Sequence, residues 1–564
     1  MKLLYFLMTV FVMQQTVPNS AYGQCDTNRY KTPIFNAVFK HADILYGEGQ
    51  VWNIPYNNTD LKMDIYEPIG DTLLQRPLML WVHPGGFLLG DKGVDDMVAL
   101  CDSFAKRGYV TASIGYRLGF NPASAESAER AVYRGTQDIR AAIRYFKEYA
   151  SIYRIDTNTI FLGGSSAGGF AALHVAYLDQ NEAPSSITGG LFSPDLGCLD
   201  CSGNNFNHSV ELAGLVNLWG ALGDSSFVDA DETVPALLVH GTADGVVPFG
   251  VGHPFGVFTT PFVNGSRTIS NQLNSLGIPH STLFFAGQDH EPHGTSNGTF
   301  DTPPTPYWDT IFDAIENHYW KILKPTQQSI SGTFDVCLNA VQTYTLETTG
   351  NARTCWNVPG GTILAKYPDS IRIRWDQPGN HVINYITYSS LDAASNESTY
   401  NVVVRELPSA EFTIDQEFAT CTFEAVSSNL TYNWTFAGIG NATGQTANFS
   451  FPLNGTFAVE LSVVDEFGCT NQQVQYVTVQ GLSVDEQVTS PIAVYPNPFE
   501  NSVQVSGITH PTEIKLVDFS GKILFSDRTD ANGIVEINQS IATGLYWIEV
   551  KTETQVIRKL VQRL

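Results

Sequence analysis

Residues 160–170 read IFLGGSSAGGF, and this stretch decides the fold of the first half of the chain. Its opening apolar run is typical of a buried strand, and the apolar residues after the glycines are typical of a helix. Between them lies the pattern Gly-x-Ser-x-Gly, from Gly164 to Gly168, with Ser166 at its centre. A strand, a tight turn and a helix form the context in which this pattern exposes a nucleophilic serine. The stretch therefore predicts that Ser166 lies at the tip of a strand-to-helix turn.

Around this motif, from residue 60 to residue 324, short apolar strands alternate with helical segments. The strands that we predict are 78–82, 109–114, 160–162, 215–218, 236–239 and 281–285. The clearest helix precedes the third strand, where Ile139, Ala142, Ile143 and Phe146 form one apolar stripe, with Asp138 and Arg140 off it. Such alternation predicts an α/β fold, a mostly parallel sheet with helices on both faces.

Partners for Ser166 follow later strands. Residues 237–244, LLVHGTAD, place Asp244 just past a buried strand, where a carboxylate is able to orient a histidine. The last strand leads into residues 287–294, GQDHEPHG, which offer two candidate bases. We favour His290 because it is nearer the strand, and His293 stays the alternative. The rival acids are Asp179, Asp289 and Glu291.

An earlier strand ends in residues 80–87, LWVHPGGF. Together these motifs resemble the α/β-hydrolase esterases over about 50–320, and among them the bacterial feruloyl and acetyl esterases within the wider carboxylesterase set. Those families carry His-Gly-Gly-Gly here as half of the oxyanion hole. Pro84 replaces the first glycine and has no N–H to donate. The resemblance therefore implies that the oxyanion is bound by the N–H groups of Gly85, Gly86 and Ala167, and it favours His290 by its Gly-x-x-His spacing.

The resemblance implies a secreted serine carboxylic ester hydrolase that works through an acyl-enzyme. Its substrates would be acetyl or feruloyl esters of plant carbohydrate, or small aryl and alkyl esters, with no metal and no cofactor. The loops at the strand ends offer Phe87, Trp219 and Val247 as substrate-binding residues. One alternative is a serine peptidase of the prolyl-oligopeptidase type, although too few residues precede the first strands for a propeller. An alternative of another class is a surface binding protein or adhesin with an inactive hydrolase domain.

After Pro325 the pattern changes to short alternating runs rich in Thr, Ser, Asn and Gly, which predicts all-β, Ig-like sandwich modules. We predict a sandwich over 325–407 and a second over 408–482, whose YNWTF run at 432–436 resembles a PKD-type repeat. Residues 487–564, which open near VYPNPF at 494–499, resemble the C-terminal sorting domain of type IX secretion. That resemblance implies the type IX export machinery as a partner. What the two middle modules bind is left open.

The N-terminus and the cysteines indicate export. Residues 1–23 combine Lys2, an apolar run and small residues, as in a signal peptide, so the hydrolase domain is predicted over 24–324. Export permits disulfides. The eight cysteines suggest the local pairs Cys198 with Cys201, Cys337 with Cys355 and Cys421 with Cys469, which leaves Cys25 and Cys101 over.

Composition excludes several classes of protein. Hydrophobic residues make up 43% of the chain, too many for intrinsic disorder. The excess of 56 acidic over 31 basic residues gives a net charge of −25, which repels nucleic acid. After the N-terminal run, no stretch is apolar for long enough to span a membrane. The sequence therefore predicts a protein that is secreted or displayed on a bacterial surface.

Overall fold

The chain is described here in a computed structural model. The described residues are 25, 28–190, 193–294, 304–347, 353–481, 492–538, 540–553 and 555–564. The predicted signal peptide, residues 1–23, lies outside them.

The first module is built on an eight-stranded sheet, beside which three short strands, 221–222, 263–265 and 251–252, form a small antiparallel sheet in that order. The strands are β1 (Val38–Gln50), β2 (Asn58–Pro68), β3 (Arg76–Val82), β4 (Val110–Ile114), β5 (Ile155–Ser165), β6 (Gly214–Leu218), β7 (Ala221–Leu222), β8 (Ala236–Gly241), β9 (Val251–Gly252), β10 (Val263–Gly265) and β11 (His280–Phe285). The large sheet has the order β1-β2-β4-β3-β5-β6-β8-β11. β1, β2 and β4 pair antiparallel, and every later pair is parallel. Parallel strands end at one edge, so β5, β8 and β11 bring their following loops together.

Helices cover both faces of this sheet, as an α/β-hydrolase fold requires. They are α1 (Asp95–Ala105), α2 (Ala125–Glu148), α3 (Ala150–Tyr153), α4 (Ala167–Tyr177), α5 (Ser266–Leu276) and α6 (Tyr307–Leu323), with short 3-10 turns at Gln180–Glu182, Ser185–Ile187, Ser225–Phe227 and Pro254–Gly256. Side chains of α2, α4 and α5 pack in one core. Those of α1 and α6 pack in the core on the opposite face. The predicted α/β fold is confirmed.

Helix α2 is buried over more of its circumference than its apolar stripe predicts. Asp138, which lies off the stripe, has no exposed surface and pairs with Arg117 at 2.6 Å. The Asp138 carboxylate also accepts the backbone N–H of Arg117 at 2.8 Å. Burial of a carboxylate is tolerated when it is paired and hydrogen-bonded in this way.

Three two-sheet units follow. Their strands are β12 (Ile330–Ser331), β13 (Asp335–Cys337), β14 (Val341–Leu346), β15 (Arg353–Asn357), β16 (Gly361–Lys366), β17 (Ser370–Trp375), β18 (Gly379–Tyr388), β19 (Ser398–Arg405), β20 (Phe412–Glu417), β21 (Thr420–Ala425), β22 (Thr431–Phe436), β23 (Gly440–Thr443), β24 (Thr446–Ser450), β25 (Gly455–Val464), β26 (Thr470–Val479), β27 (Ala493–Tyr495), β28 (Ser502–Ser506), β29 (Glu513–Val517), β30 (Ile523–Arg528), β31 (Ile534–Glu536), β32 (Gly544–Lys551) and β33 (Val556–Arg563). The units comprise β12–β19, β20–β26 and β27–β33. Each has its own apolar core, as the predicted sandwiches require. The predicted module boundaries stay a prediction.

Two disulfides join modules rather than closing loops within them. Cys25 pairs with Cys355, and Cys337 pairs with Cys469. The predicted pairs Cys337 with Cys355 and Cys421 with Cys469 are therefore wrong, because the sandwiches meet in space at these cysteines. Cys198 pairs with Cys201 as predicted. The cysteines left unpaired are Cys101 and Cys421, both buried.

The first sandwich also packs directly against the hydrolase domain. Leu391 and Ala393 lie in the same apolar core as Tyr30. The Tyr30 hydroxyl donates a hydrogen bond to the carbonyl oxygen of Leu391 at 2.6 Å. Among the described residues, no helix is long and apolar enough to cross a membrane.

Candidate active site

Ser166 occupies the turn between β5 and α4. Its φ of 52° and ψ of −116° are sparsely populated for a residue with a side chain, which marks a strained turn. The glycines on either side are required by close approach. A Cβ on Gly164 would lie 2.2 Å from the carbonyl oxygen of Gly168, and one on Gly168 would lie 2.0 Å from that of Val82. The sequence therefore forms the nucleophile turn for steric reasons.

Ser166, His290 and Asp244 form a continuous hydrogen-bonded chain, although they lie far apart in sequence. His290 Nε2 is 2.9 Å from Ser166 Oγ, and His290 Nδ1 is 2.7 Å from Asp244 Oδ2. With the ring proton on Nδ1, His290 donates to Asp244 and accepts from the Ser166 hydroxyl. This arrangement suits removal of the serine proton by the imidazole.

Asp244 is held rigidly and stays ionised. Its Oδ1 accepts the backbone N–H groups of Val246 and Val247, each at 2.8 Å. His240 Nε2 lies 3.2 Å from Oδ2 on the other side. Burial on its own would raise the pKa of Asp244, but the hydrogen bonds from His240 and His290 outweigh burial and lower that pKa well below its usual range. The contact from His240 was not predicted, although the residue lies in the same quoted stretch.

His293, the alternative base, lies away from Ser166. Its side chain is buried, with Nε2 3.5 Å from Asp96 Oδ2. The ring lies between the indoles of Trp219 and Trp308, with centroid distances of 4.6 and 5.8 Å. Of the two histidines that the sequence offered, the structure brings only His290 to the serine.

The remaining rival acids do not approach His290 Nδ1. Asp179 caps the short helix at Gln180–Glu182. Asp289 accepts the backbone N–H groups of Gly245 and His290, each at 2.8 Å, and so shapes the loop that carries the base. These two carboxylates therefore serve local backbone structure.

Glu291 is the unexpected group in this region. Its Oε1 is buried 3.9 Å from His290 Nε2 and has no hydrogen-bond partner among the described residues. Burial, with repulsion from Asp96 and Asp244, raises the pKa of Glu291 to about 8. The side chain is therefore a neutral acid at neutral pH. No sequence pattern separates it from an ordinary loop glutamate.

This raised pKa makes stability depend on pH. Below about pH 4.5 both the folded and the unfolded protein hold the Glu291 proton. As the pH rises from about 4.5 to about 8, the unfolded protein loses this proton first, so the free energy of unfolding falls by about 1.4 kcal/mol per pH unit and by about 5 kcal/mol in total. Glu291→Gln is expected to abolish this loss and to stabilise the hydrolase domain at pH 8.5 but not at pH 4.5.

Unfolding of the hydrolase domain is followed by hydrogen exchange of peptides from residues 155–177. The quantity compared at the two pH values is the urea concentration at which half of their protection is lost. The matched control is Glu417→Gln, which removes an exposed carboxylate at the end of β20. An equal shift of the two variants, or the same shift of Glu291→Gln at both pH values, would contradict the assignment.

The predicted oxyanion residues lie together at the mouth of a pocket. Gly85, Gly86 and Ala167 all line it beside Ser166. Gly85 has a φ of 121°, and a Cβ there would lie 2.0 Å from the carbonyl oxygen of Leu89, so only glycine fits. The neighbouring His83 is buried, and burial lowers its pKa to about 4. Its Nδ1–H donates to the carbonyl oxygen of Pro84 at 2.7 Å, which indicates a structural role.

The pocket that reaches Ser166 has a volume of about 650 Å³. Its lining is mostly apolar and includes Phe87 and Val247, as predicted, together with Phe120, Val132, Phe170, Leu178, Phe227 and Val246. Trp219, also predicted to bind substrate, does not line it. The indole of Trp219 is buried, and its N–H donates to Ser165 Oγ at 3.0 Å. Trp219 therefore contacts the residue next to Ser166 rather than the pocket.

Within the described ranges, no group of three or more His, Cys, Asp or Glu side chains is arranged to hold a metal ion.

Comparison with known proteins agrees with this architecture. Residues 63–222 match the BD-FAE family model, and residues 493–563 match the secretion system C-terminal sorting domain. Feruloyl esterase B of Talaromyces funiculosus is 26% identical over 241 residues, which are 40% of this chain and 65% of that protein. Carboxylesterase 3B of Mus musculus is 32% identical over 120 residues, 20% of each chain. The match thus spans less than two thirds of either relative.

Among solved structures, Thermogutta terrifontis esterase 2 phosphorylated by paraoxon is 19% identical, with a TM-score of 0.34. The alignment covers 50% of this chain and 93% of that one. Likeness at this level carries no functional argument. The family matches confirm two of the predicted resemblances: the first module is similar to esterases of the α/β-hydrolase fold, and the tail is a type IX sorting domain that marks a secreted or cell-surface bacterial protein. The PKD-type resemblance of the second sandwich stays a prediction.

Proposed function

We propose that the protein is a secreted serine carboxylic ester hydrolase. The observation that carries this proposal is the chain of short hydrogen bonds from Ser166 through His290 to Asp244, beside an apolar pocket that Ser166 and His290 line. The names of the relatives, feruloyl esterase and carboxylesterase, support the same reaction class. The export signals fit an enzyme that meets its substrate outside the cell, and we propose that residues 487–564 are read by the type IX machinery.

In the proposed mechanism, His290 accepts the proton of Ser166 as the serine oxygen attacks the ester carbonyl. Asp244 stabilises the imidazolium that forms. The N–H groups of Gly85, Gly86 and Ala167 bind the oxyanion, each contributing about 3 kcal/mol as in comparable enzymes. His290 then protonates the leaving alcohol, and water repeats the attack on the acyl-enzyme.

The pocket favours an apolar or aromatic acyl group over acetate. Its volume of about 650 Å³ exceeds what an acetyl group fills, and its walls are mostly apolar and include several phenylalanines. Burial of each added methylene contributes about 0.8 kcal/mol, which strengthens binding about fourfold. Feruloyl and medium acyl esters therefore suit this site better than acetylated carbohydrate.

The test is a substrate panel with the full chain: p-nitrophenyl acetate and butyrate, methyl ferulate, acetylated xylan and a prolyl peptide. We expect kcat/KM to rise about 16-fold from acetate to butyrate, since butyrate has two more methylenes, and methyl ferulate to be cleaved. A fluorophosphonate should modify Ser166, as read by peptide mass spectrometry. Cleavage of the prolyl peptide alone would support a peptidase, and no turnover or labelling would support a binding protein with an inactive domain.

A further inference from the structure

Seven large apolar side chains surround the mouth of the pocket and face water. We name them the apolar rim: Leu88, Leu89, Val251, Phe255, Val257, Phe258 and Phe262. Phe258 is 88% exposed, and every other member is at least 42% exposed. Single exposed apolar residues are common, but a contiguous group of this kind marks an interaction surface. Since five of the seven also line the pocket, the rim is continuous with the proposed site.

Charge is scarce around the mouth, and among the described residues Glu129 and Asp224 are the Asp, Glu, Lys or Arg side chains that line the pocket. Residues 84–90, 118–125 and 245–265 contain no Asp, Glu, Lys or Arg, although 15% of the whole chain is charged. A surface built to bind a polyanion or a basic protein would place charges here. The composition of the mouth therefore indicates an uncharged partner.

Hydrogen bonds fix the position of the segment 245–265, which carries five of the seven rim residues. The loop between β9 and β10 is fixed at one end by the Phe255 N–H, which donates to Val246 O at 2.7 Å. Across the mouth, Thr259 Oγ1 donates to Pro122 O at 2.9 Å. Phe255 has a φ of 59°, which is unfavourable for an aromatic residue. The protein thus tolerates local strain at a position where the ring is 61% exposed.

From these observations we propose that the apolar rim docks the enzyme onto the surface of a water-insoluble, uncharged ester, such as an acylglycerol droplet. The ester group then passes from that surface into the adjoining pocket without entering bulk water. The net charge of −25 opposes an anionic membrane as the partner. This inference rests on the proposed ester hydrolysis and names the physical state of the substrate.

The decisive variant is Val251→Ser with Phe258→Ser, because both residues belong to the rim and neither lines the pocket. We expect the parent to float with tributyrin droplets in 0.15 M and 1 M NaCl alike, and its rate to rise sharply above the solubility limit of tributyrin. The double variant should partition about a hundredfold less, about tenfold for each side chain withdrawn from the apolar phase. Its hydrolysis of dissolved p-nitrophenyl acetate should stay within about twofold of the parent.

The matched control is Val474→Ser with Phe418→Ser, which makes the same changes at exposed sites in the second sandwich. Equal losses in both double variants, or a parent that does not float, would overturn the proposal. Binding to anionic vesicles but not to droplets would also overturn the proposal. A dimer in sedimentation that the rim variant loses would show instead that a second copy of the chain covers the rim. Droplet binding without p-nitrophenyl acetate hydrolysis would instead refute the proposed function.

Discussion

Replacement of Ser166 by alanine is expected to lower kcat for p-nitrophenyl butyrate by about a millionfold and to leave the fold intact. The change removes the one hydroxyl that lies within hydrogen-bond distance of His290 Nε2 in this pocket. Loss of the corresponding serine in a comparable enzyme has an effect of that size, about 2 × 10⁶ in kcat. Alanine fits the space and adds no atoms to the turn. Burst kinetics and steady-state turnover of the purified variant measure the loss.

Ser165→Ala is the matched control, because it removes the neighbouring hydroxyl. Ser165 Oγ accepts the indole N–H of Trp219, and the side chain is fully buried. Its loss leaves that N–H unsatisfied, at about 1–3 kcal/mol of stability. Turnover should change less than about tenfold. If Ser166→Ala kept more than about one thousandth of the parent rate, another nucleophile would have to be sought.

His290→Ala is expected to lower kcat by at least about ten-thousandfold, because no other base within the described residues contacts Ser166 Oγ. The Asp244 carboxylate would remain ionised and buried without its main partner. The variant should therefore also fail to react with a fluorophosphonate, which depends on the activated serine. Labelling rates measure this loss separately from product release.

His293→Ala separates the two histidines of this loop. His293 packs between two indoles beside Asp96, so its loss should affect stability by a few kcal/mol, about 2–4 for a buried side chain. Activity at a temperature where the variant stays folded should fall less than about tenfold. The reverse ranking of the two variants would make His293 the base, and little effect from either would remove the proposed triad.

The parallel strands of the hydrolase domain were predictable because each is buried on both faces and so reads as an apolar run. Residues 78–82 and 236–239, for instance, lie within β3 and β8. Strand β1 was not predicted, because it lies at the edge of the sheet and only two of its 13 residues are buried. An edge strand lacks the apolar run on which the prediction depends.

The nucleophile turn was predictable because its glycines are a steric requirement that leaves a pattern in the sequence. The contacts behind it were not. We predicted that Trp219 binds substrate because it lies in a loop at a strand end. In the structure its indole contacts Ser165 instead. The burial of Asp138 depends on Arg117, and the pairing of Cys337 depends on how two sandwiches meet. Such pairings are set by tertiary structure and leave no local periodicity.

The disulfides between modules determine which parts of this protein stay covalently attached after cleavage by extracellular proteases. Cys25–Cys355 and Cys337–Cys469 each span a junction, so a nick at 324–329 or at 406–411 leaves both fragments attached. No cysteine follows Cys469, so no disulfide links residues 487–564 to the other modules, and Leu545 packs non-covalently against the core of the second sandwich. A single cleavage before the sorting domain therefore breaks its covalent link to the rest of the protein. The hydrolase domain and the two middle sandwiches stay covalently joined after a cleavage between them.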